Sequence, residues 1–113
     1  MRIGRVYDKV EKGYHRVLAD RLWPRGVRKE DPRAGQWWPQ LAPSDDLRQW
    51  YDHDVDRFED FASRYRDELS TGEGAEALAE LQDLARQEPV MLVTATKDLE
   101  HSHLTVLADL AGK

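Results

Sequence analysis

The chain contains no cysteine and no long apolar run among its 113 residues. The lack of cysteine excludes disulfide scaffolds, cysteine-ligated zinc and thiol nucleophiles, and it is consistent with a reducing compartment. No segment approaches the roughly 20 apolar residues that cross a bilayer, so no membrane partner is expected. The first five residues lack the apolar stretch of a signal peptide, and the sequence therefore predicts a cytoplasmic location.

Positive charge is in the minority, yet it is unevenly placed along the chain. The net charge of −5 argues against wholesale nucleic-acid binding. Nevertheless, ten of the 17 Lys and Arg residues fall within residues 1–33, whereas the acidic residues crowd the middle of the chain. The sequence therefore predicts a local positive patch on an acidic protein, with a small anionic ligand as its partner.

Length and hydrophobic patterning predict one α/β domain over residues 1–113. Short apolar segments at 3–7 and 17–22 predict strands, and the continuous apolar run at 90–95 is typical of a strand covered on both faces. Apolar residues at helical spacing predict helices at 47–51, at 58–69, at 75–87 and from about residue 98 onward. The expected architecture is a compact layered fold in which helices flank a small, mostly parallel or mixed sheet.

The segment 20–26 carries the most informative motif, at the end of the second predicted strand. Asp20 leads into it, and Arg21 and Arg25 flank Trp23. Two guanidinium groups so close together are costly to bury unless an anion meets them. Trp23 would then form one wall of a pocket for a flat or anionic ligand.

The same motif also has a purely structural interpretation. In it, both arginines pair with nearby carboxylates and fasten the loop to a helix start. The candidate partners are Asp20, Asp45 and Asp46. The tryptophans would then supply apolar bulk rather than a stacking surface.

A second polar cluster, residues 96–103, follows the predicted strand at 90–95. Because ligand sites in open α/β sheets form at the carboxyl ends of strands, the two clusters are expected to share one pocket. Asp98 is expected to cap the last helix. A cation is unfavourable beside a helix start, so Lys97 there favours an anion that meets both the lysine and the free N–H groups.

His101 and His103 in this cluster are the candidate catalytic residues, because histidine transfers protons near neutral pH. Residues two apart on a helix do not share a face. A common metal would need a later helix start, or His53 or a carboxylate to complete the shell, and no metal site is predicted. Tyr7 and Asp8, at the end of the first predicted strand, are further candidates to line the pocket.

Four segments, taken in order, resemble the YeaO-like family of small bacterial proteins, a domain of unknown function numbered 488. They lie at residues 20–26, 41–44, 47–54 and 97–103 and span nearly the whole chain. The resemblance implies a compact α/β protein of bacterial type, with no established activity, substrate or cofactor. Longer relatives carry cysteines that this chain lacks, so thiol chemistry proposed for them does not carry over.

The sequence thus predicts an anion- or phosphate-binding pocket at the strand ends, and it leaves two function classes open. The predicted ligand-binding residues are Asp20, Arg21, Trp23, Arg25, Lys97 and Asp98. One class is an enzyme that carries out acid–base or phosphoryl-type chemistry on a small anionic substrate. The alternative is a non-catalytic module that binds a phosphorylated ligand, nucleic acid or a protein partner. The sequence defines neither a cofactor nor an oligomeric state.

Overall fold

A computed structural model describes residues 1–112 of the chain. Its sheet has four strands, all parallel, which are β1 (Arg2–Arg5), β2 (His15–Leu18), β3 (Gln36–Trp37) and β4 (Val90–Thr94). They lie in the order β1-β4-β2-β3. This arrangement confirms the α/β class and supplies the strand order that the sequence left open.

Four α-helices accompany the sheet. They are α1 (Asp45–Tyr51), α2 (Phe58–Glu68), α3 (Gly72–Gln87) and α4 (His103–Ala111), with short 3-10 helices at Pro39–Leu41 and Val55–Arg57. Phe61 and Tyr65 of α2 are buried, as their spacing predicts. In the part of the chain that the structure describes, every helix is too short or too polar to cross a membrane.

The two faces of the sheet are covered differently. Strand residues alternate between faces, so Leu92 of β4 packs in a cluster with residues of all four helices, whereas Met91 and Val93 pack in a second cluster. That second cluster is completed by residues from loops, such as Val27 and Ala34. One face of the sheet is therefore covered by helices and the other by loops.

A buried arginine holds the loop-covered face together. Arg16 of β2 is only 4% exposed. Its Nε donates to the carbonyl oxygen of Arg33 at 2.8 Å, and one Nη donates to those of Val6 and Asp8 at 3.3 and 3.4 Å. Burial lowers the pKa of Arg16 from its usual value. This one side chain ties both loops to the sheet.

The strand expected at 17–22 lies earlier and is shorter, since β2 covers His15–Leu18. The chain gives one more amide, that of Ala19, to the carbonyl oxygen of Val93 at 3.2 Å. At the next residue a side chain replaces the backbone as acceptor, since the Asp20 carboxylate accepts from the amide of Ala95 at 2.8 Å. Backbone pairing has ended there, and residues 20–26 form a loop outside the sheet.

Two helices also begin at other residues than predicted. Helix α3 starts at Gly72 rather than near residue 75, because its two glycines belong to the first turn instead of a linker. Helix α4 starts at His103 rather than near Asp98, because the hydroxyl of Ser102 accepts from the amide of Leu104 at 3.2 Å and caps it.

Candidate functional site

A pocket of about 660 Å³ lies at the carboxyl ends of β2 and β4, which are adjacent strands. The polar clusters at 20–25 and 95–103 both line it, as the strand-end argument predicts. All eight predicted site residues are on its walls: Asp20, Arg21, Trp23, Arg25, Lys97, Asp98, His101 and His103. Their assignment to ligand binding or catalysis stays a prediction.

Asp20 joins the ends of the two strands beneath the pocket. Its carboxylate accepts from the hydroxyl of Thr94 at 2.6 Å and from the amide of Ala95 at 2.8 Å. Burial alone would raise the pKa of Asp20. The hydrogen bond and charge of His103, with the two other donors, outweigh burial and lower that pKa. Asp20 is thus an ionised anchor whose oxygens already have protein partners.

His103 opens α4 and faces the same anchor. Its Nε2 lies 2.7 Å from the carbonyl oxygen of Ala19 and 3.4 Å from Oδ1 of Asp20. The ring also packs edge-on against Tyr65, with centroids 6.0 Å apart. His103 is buried, so it fastens the start of α4 to the end of β2.

Asp98 caps a turn rather than the last helix, which corrects the sequence prediction. Its carboxylate accepts from the amide of His101 at 3.2 Å and contacts Nδ1 of that histidine at 2.9 Å. The hydrogen bond from His101 lowers the pKa of Asp98. Since α4 begins only at His103, the expectation that Lys97 stands directly before a helix start is also wrong.

The arginines of the 20–26 loop do not make the ion pairs that the alternative, structural interpretation of this motif requires. Within residues 1–112, neither Arg21 nor Arg25 pairs with a carboxylate, and Asp45 instead contacts Arg48 at 3.2 Å. One Nη of Arg21 donates to the carbonyl oxygen of Ala42 at 2.9 Å, which fastens the loop by another bond. The Nε of Arg21 is buried without a protein partner.

The walls of the pocket carry an excess of positive charge. Its cationic residues are Arg21, Arg25, Arg48 and Lys97, and its carboxylates are Asp20 and Asp98. Both carboxylates are engaged by the hydrogen bonds given above, and Arg48 pairs with Asp45. Three cations therefore have no carboxylate partner in the described chain, although the protein as a whole is acidic.

Four aromatic residues line the pocket, Tyr7, Trp23, Tyr51 and Phe61, and two of them adjoin the cationic loop. Trp23 is half-buried, its Nε1 donates to the carbonyl oxygen of Val27 at 2.6 Å, and its ring meets Trp37 edge-on at 5.4 Å. Tyr7 donates its hydroxyl to the carbonyl oxygen of Arg25 at 3.0 Å. Asp8, the other residue predicted at this strand end, accepts from the amide of Arg5 and does not line the pocket.

Sequence reasoning missed the contribution of α1. Tyr51, at the end of that helix, donates its hydroxyl to the carbonyl oxygen of His101 at 2.6 Å, and burial raises its pKa. His53 is exposed and also lines the pocket. Asp52 and His53 both have left-handed backbone, with φ of 45° and 55°. Two such non-glycine residues in a row store strain at the rim of the pocket.

The histidines do not come together as metal ligands. Over residues 1–112, no three His, Asp or Glu side chains form a group that could hold a metal ion. His101 is directed to Asp98, whereas His103 is directed to Ala19 and Asp20.

The fold and site define a small α/β domain with a positively charged pocket at the carboxyl ends of its strands. Residues 1–112 match the family described as the inactive DUF488-N3 subclade. The chain belongs to this YeaO-like DUF488 family, which confirms the resemblance drawn from its motifs.

Two bacterial proteins whose names call them uncharacterised are similar to the chain over most of its length. The chain is 47% identical over 111 residues to the uncharacterised protein Rv3073c of Mycobacterium tuberculosis, covering 97% of this chain and 92% of that protein. It is 37% identical over 107 residues to the uncharacterised protein YeaO of Escherichia coli, covering 93% of this chain and 90% of that protein. No solved structure matches the chain.

Proposed function

We propose that this protein is a non-catalytic binding domain for a small phosphate-bearing anion. One observation carries the proposal. Arg21, Arg25 and Lys97 line one pocket, and none of them pairs with a carboxylate of the described chain.

The chemistry of these cations favours phosphate. A guanidinium presents several N–H donors in a planar fork that matches phosphate oxygens, and lysine adds a compact positive charge. One Nη of Arg21 is held by the carbonyl oxygen of Ala42, so this guanidinium is already fixed at the pocket wall before an anion binds. Because the whole chain carries a net charge of −5, the attraction is local to this pocket.

Two titratable residues of the pocket hold the fold together, and this supports binding rather than catalysis. Asp20 and His103 hold β2, β4 and α4 together through the contacts described above. A carboxylate and an imidazole with such structural duties are poorly free to exchange protons with a ligand. The family to which the chain belongs is itself described as an inactive subclade.

The test is thermal unfolding with inorganic phosphate and with sulfate, on the parent and on Arg25→Ala and Lys97→Ala. A bound anion at about 100 times its dissociation constant stabilises the folded state by roughly 2.7 kcal/mol. We expect the melting temperature of the parent to rise, and each variant to lose most of that rise without losing its fold. Arg66→Ala is the control, because Arg66 is an exposed arginine of α2 that does not line the pocket.

An equal response in all four proteins would show general salt stabilisation and would contradict the proposal. Isothermal titration with phosphate provides a second readout, because it reports a saturable site that salt effects do not produce. Absence of saturable binding to the parent would also contradict it.

A second candidate function is acid–base catalysis by His101, favoured by its 2.9 Å contact with Asp98. A carboxylate that orients a histidine through Nδ1 leaves the other ring nitrogen to take or give a proton. The test is phosphorus NMR of sugar phosphates incubated with the parent and with His101→Gln. Turnover by the parent that is lost in His101→Gln, with phosphate binding retained, would support this function over simple binding.

A further inference from the structure

We infer that the ligand of this pocket carries a flat ring beside its phosphate, as a nucleoside monophosphate does. The inference rests on the proposed function and names the class of molecule that the site takes. It is carried by Trp23 and Tyr7, two aromatic side chains that share the pocket with the unpaired cations.

Trp23 is held in place before any ligand arrives. Its indole N–H is already satisfied by the carbonyl oxygen of Val27, and Trp37 meets the ring edge-on with an interplanar angle of 75°. The indole also packs against the cluster of loop and strand residues behind the sheet. A ring that is fixed in this way loses little conformational freedom when another ring stacks on it.

Tyr7 is an aromatic residue of the pocket that contacts two arginines. Its hydroxyl binds the backbone of Arg25, and the guanidinium of Arg5 lies 5.1 Å from the centre of its ring. The polar end of Tyr7 is therefore occupied, so its contribution to the pocket is its ring. This hydrogen bond places the backbone of Arg25 beside Tyr7, and both residues line the pocket.

Leu22 gives an independent sign of an apolar ligand part. It lies between Arg21 and Trp23 in the loop, lines the pocket and is 61% exposed. Large exposed hydrophobic side chains beside a concave site are often covered when a ligand binds. A stacked ring would remove this apolar surface from water, whereas a phosphate ion would leave it uncovered.

The size of the pocket fits a nucleotide better than a bare ion. Small-molecule sites usually enclose about 300–1,000 Å³, and this one encloses about 660 Å³. A polymeric nucleic acid is disfavoured, because it binds through many phosphate contacts that a chain with a net charge of −5 opposes. The observations therefore favour a free nucleotide.

The experiment compares four ligands by isothermal titration: AMP, UMP, ribose 5-phosphate and inorganic phosphate. We expect both nucleotides to bind the parent at least tenfold more tightly than ribose 5-phosphate, and to quench tryptophan fluorescence. Trp23→Leu should weaken nucleotide binding to the level of ribose 5-phosphate and leave ribose 5-phosphate binding unchanged. Trp23→Phe should retain part of the nucleotide preference while losing the quenching.

Trp50→Phe is the matched control, because Trp50 lies under Arg64 at 4.2 Å and does not line the pocket. It should bind nucleotides like the parent.

Equal binding of ribose 5-phosphate and the nucleotides would overturn the ring inference and leave the proposed function standing. If none of the four ligands binds, the proposed function fails as well. An oligonucleotide that binds tenfold more tightly than UMP would also overturn the inference. If Trp23→Leu does not fold, the comparison of the four ligands on the parent and the fluorescence quenching of the parent still test the inference.

Discussion

The Nε of Arg16 donates a hydrogen bond to the carbonyl oxygen of Arg33 at 2.8 Å, and the chain between them contains the whole pocket loop, residues 20–26. This contact joins β2 to the segment just before β3, on the face of the sheet that no helix covers. Because the guanidinium also donates to the carbonyl oxygens of Val6 and Asp8, one side chain holds the backbone of two loops. The position of the pocket loop therefore depends on a residue that does not line the pocket.

We predict that Arg16→Met destabilises the protein by about 2–4 kcal/mol, because it leaves the three carbonyl oxygens without their donor. Urea unfolding of the variant and the parent measures the difference. Arg28→Met, at an exposed arginine just after the pocket loop, should change the free energy of unfolding by less than about 0.5 kcal/mol. A similar small effect at Arg16 would contradict the role given to it.

Gly35→Ala should be still more damaging for a reason that involves the same arginine. Gly35 has a φ of +63°, and an added Cβ would lie 2.3 Å from the carbonyl oxygen of Arg16. Left-handed backbone costs an alanine about 1–2 kcal/mol, and the clash adds to that cost. Gly26→Ala is the control, since Gly26 has a φ of +76° with nothing within 4 Å of the added atom. Equal losses of stability at the two glycines would show that the clash is relieved without cost.

The effect of Asp20→Asn on stability at different pH values tests how the Asp20 carboxylate stabilises the strand ends beneath the pocket. The pKa of Asp20 is lowered because the donors from His103, Ala95 and Thr94 outweigh the opposing effect of burial. A group with a lowered pKa stabilises the folded state at pH values above its ordinary pKa, and the contribution is lost as pH falls through the lowered value. At pH 7, Asp20→Asn should cost about 1–3 kcal/mol.

The difference in unfolding free energy between parent and Asp20→Asn should shrink as pH falls below about 4, the ordinary range of aspartate. Denaturant titrations at a series of pH values measure it directly. A difference that stays constant down to the lowest pH would mean that the charge of Asp20 contributes nothing and that its shape alone matters.

Phe61→Ala should cost about 3–5 kcal/mol, as truncation of a buried aromatic does. The ring is 2% exposed and stacks between Tyr51, at 4.2 Å between centroids, and Tyr65, at 5.8 Å. Ser63→Ala on the exposed side of α2 should be nearly neutral. Calorimetric melting of the two variants measures both effects. A Phe61→Ala protein that melts within a few degrees of the parent would show that the packing of Phe61 between the two tyrosines contributes little to stability.

Much of this arrangement can be predicted because it follows from periodicity and strand direction. The buried face of α2 repeats at helical spacing, and this spacing alone places Phe61 and Tyr65 inward. The meeting of Arg25 and Lys97 on one pocket follows from the rule that parallel strands bring their carboxyl ends to one edge. These inferences need only local pattern and a general rule of sheet geometry.

Other features depend on contacts between distant residues, which no local pattern encodes. Asp98 and Ser102 are both good helix caps by residue type. In the structure Ser102 caps α4. Two contacts between residues far apart in sequence hold this segment: Tyr51 donates to the carbonyl oxygen of His101, and His103 contacts the carbonyl oxygen of Ala19. Likewise, nothing near Arg16 in the sequence distinguishes it from the other cations of the first 33 residues.

The position of β4 has a consequence for the order of events during folding. β4 lies between β1 and β2, with Ile3 and Val17 both beside Leu92. During synthesis, β1 and β2 are made early but have no central partner until residues 90–94 leave the ribosome. Pairing of segments so far apart in sequence is slow, and unpaired strands are prone to aggregation. The sheet should therefore be completed only after β4 has been synthesised.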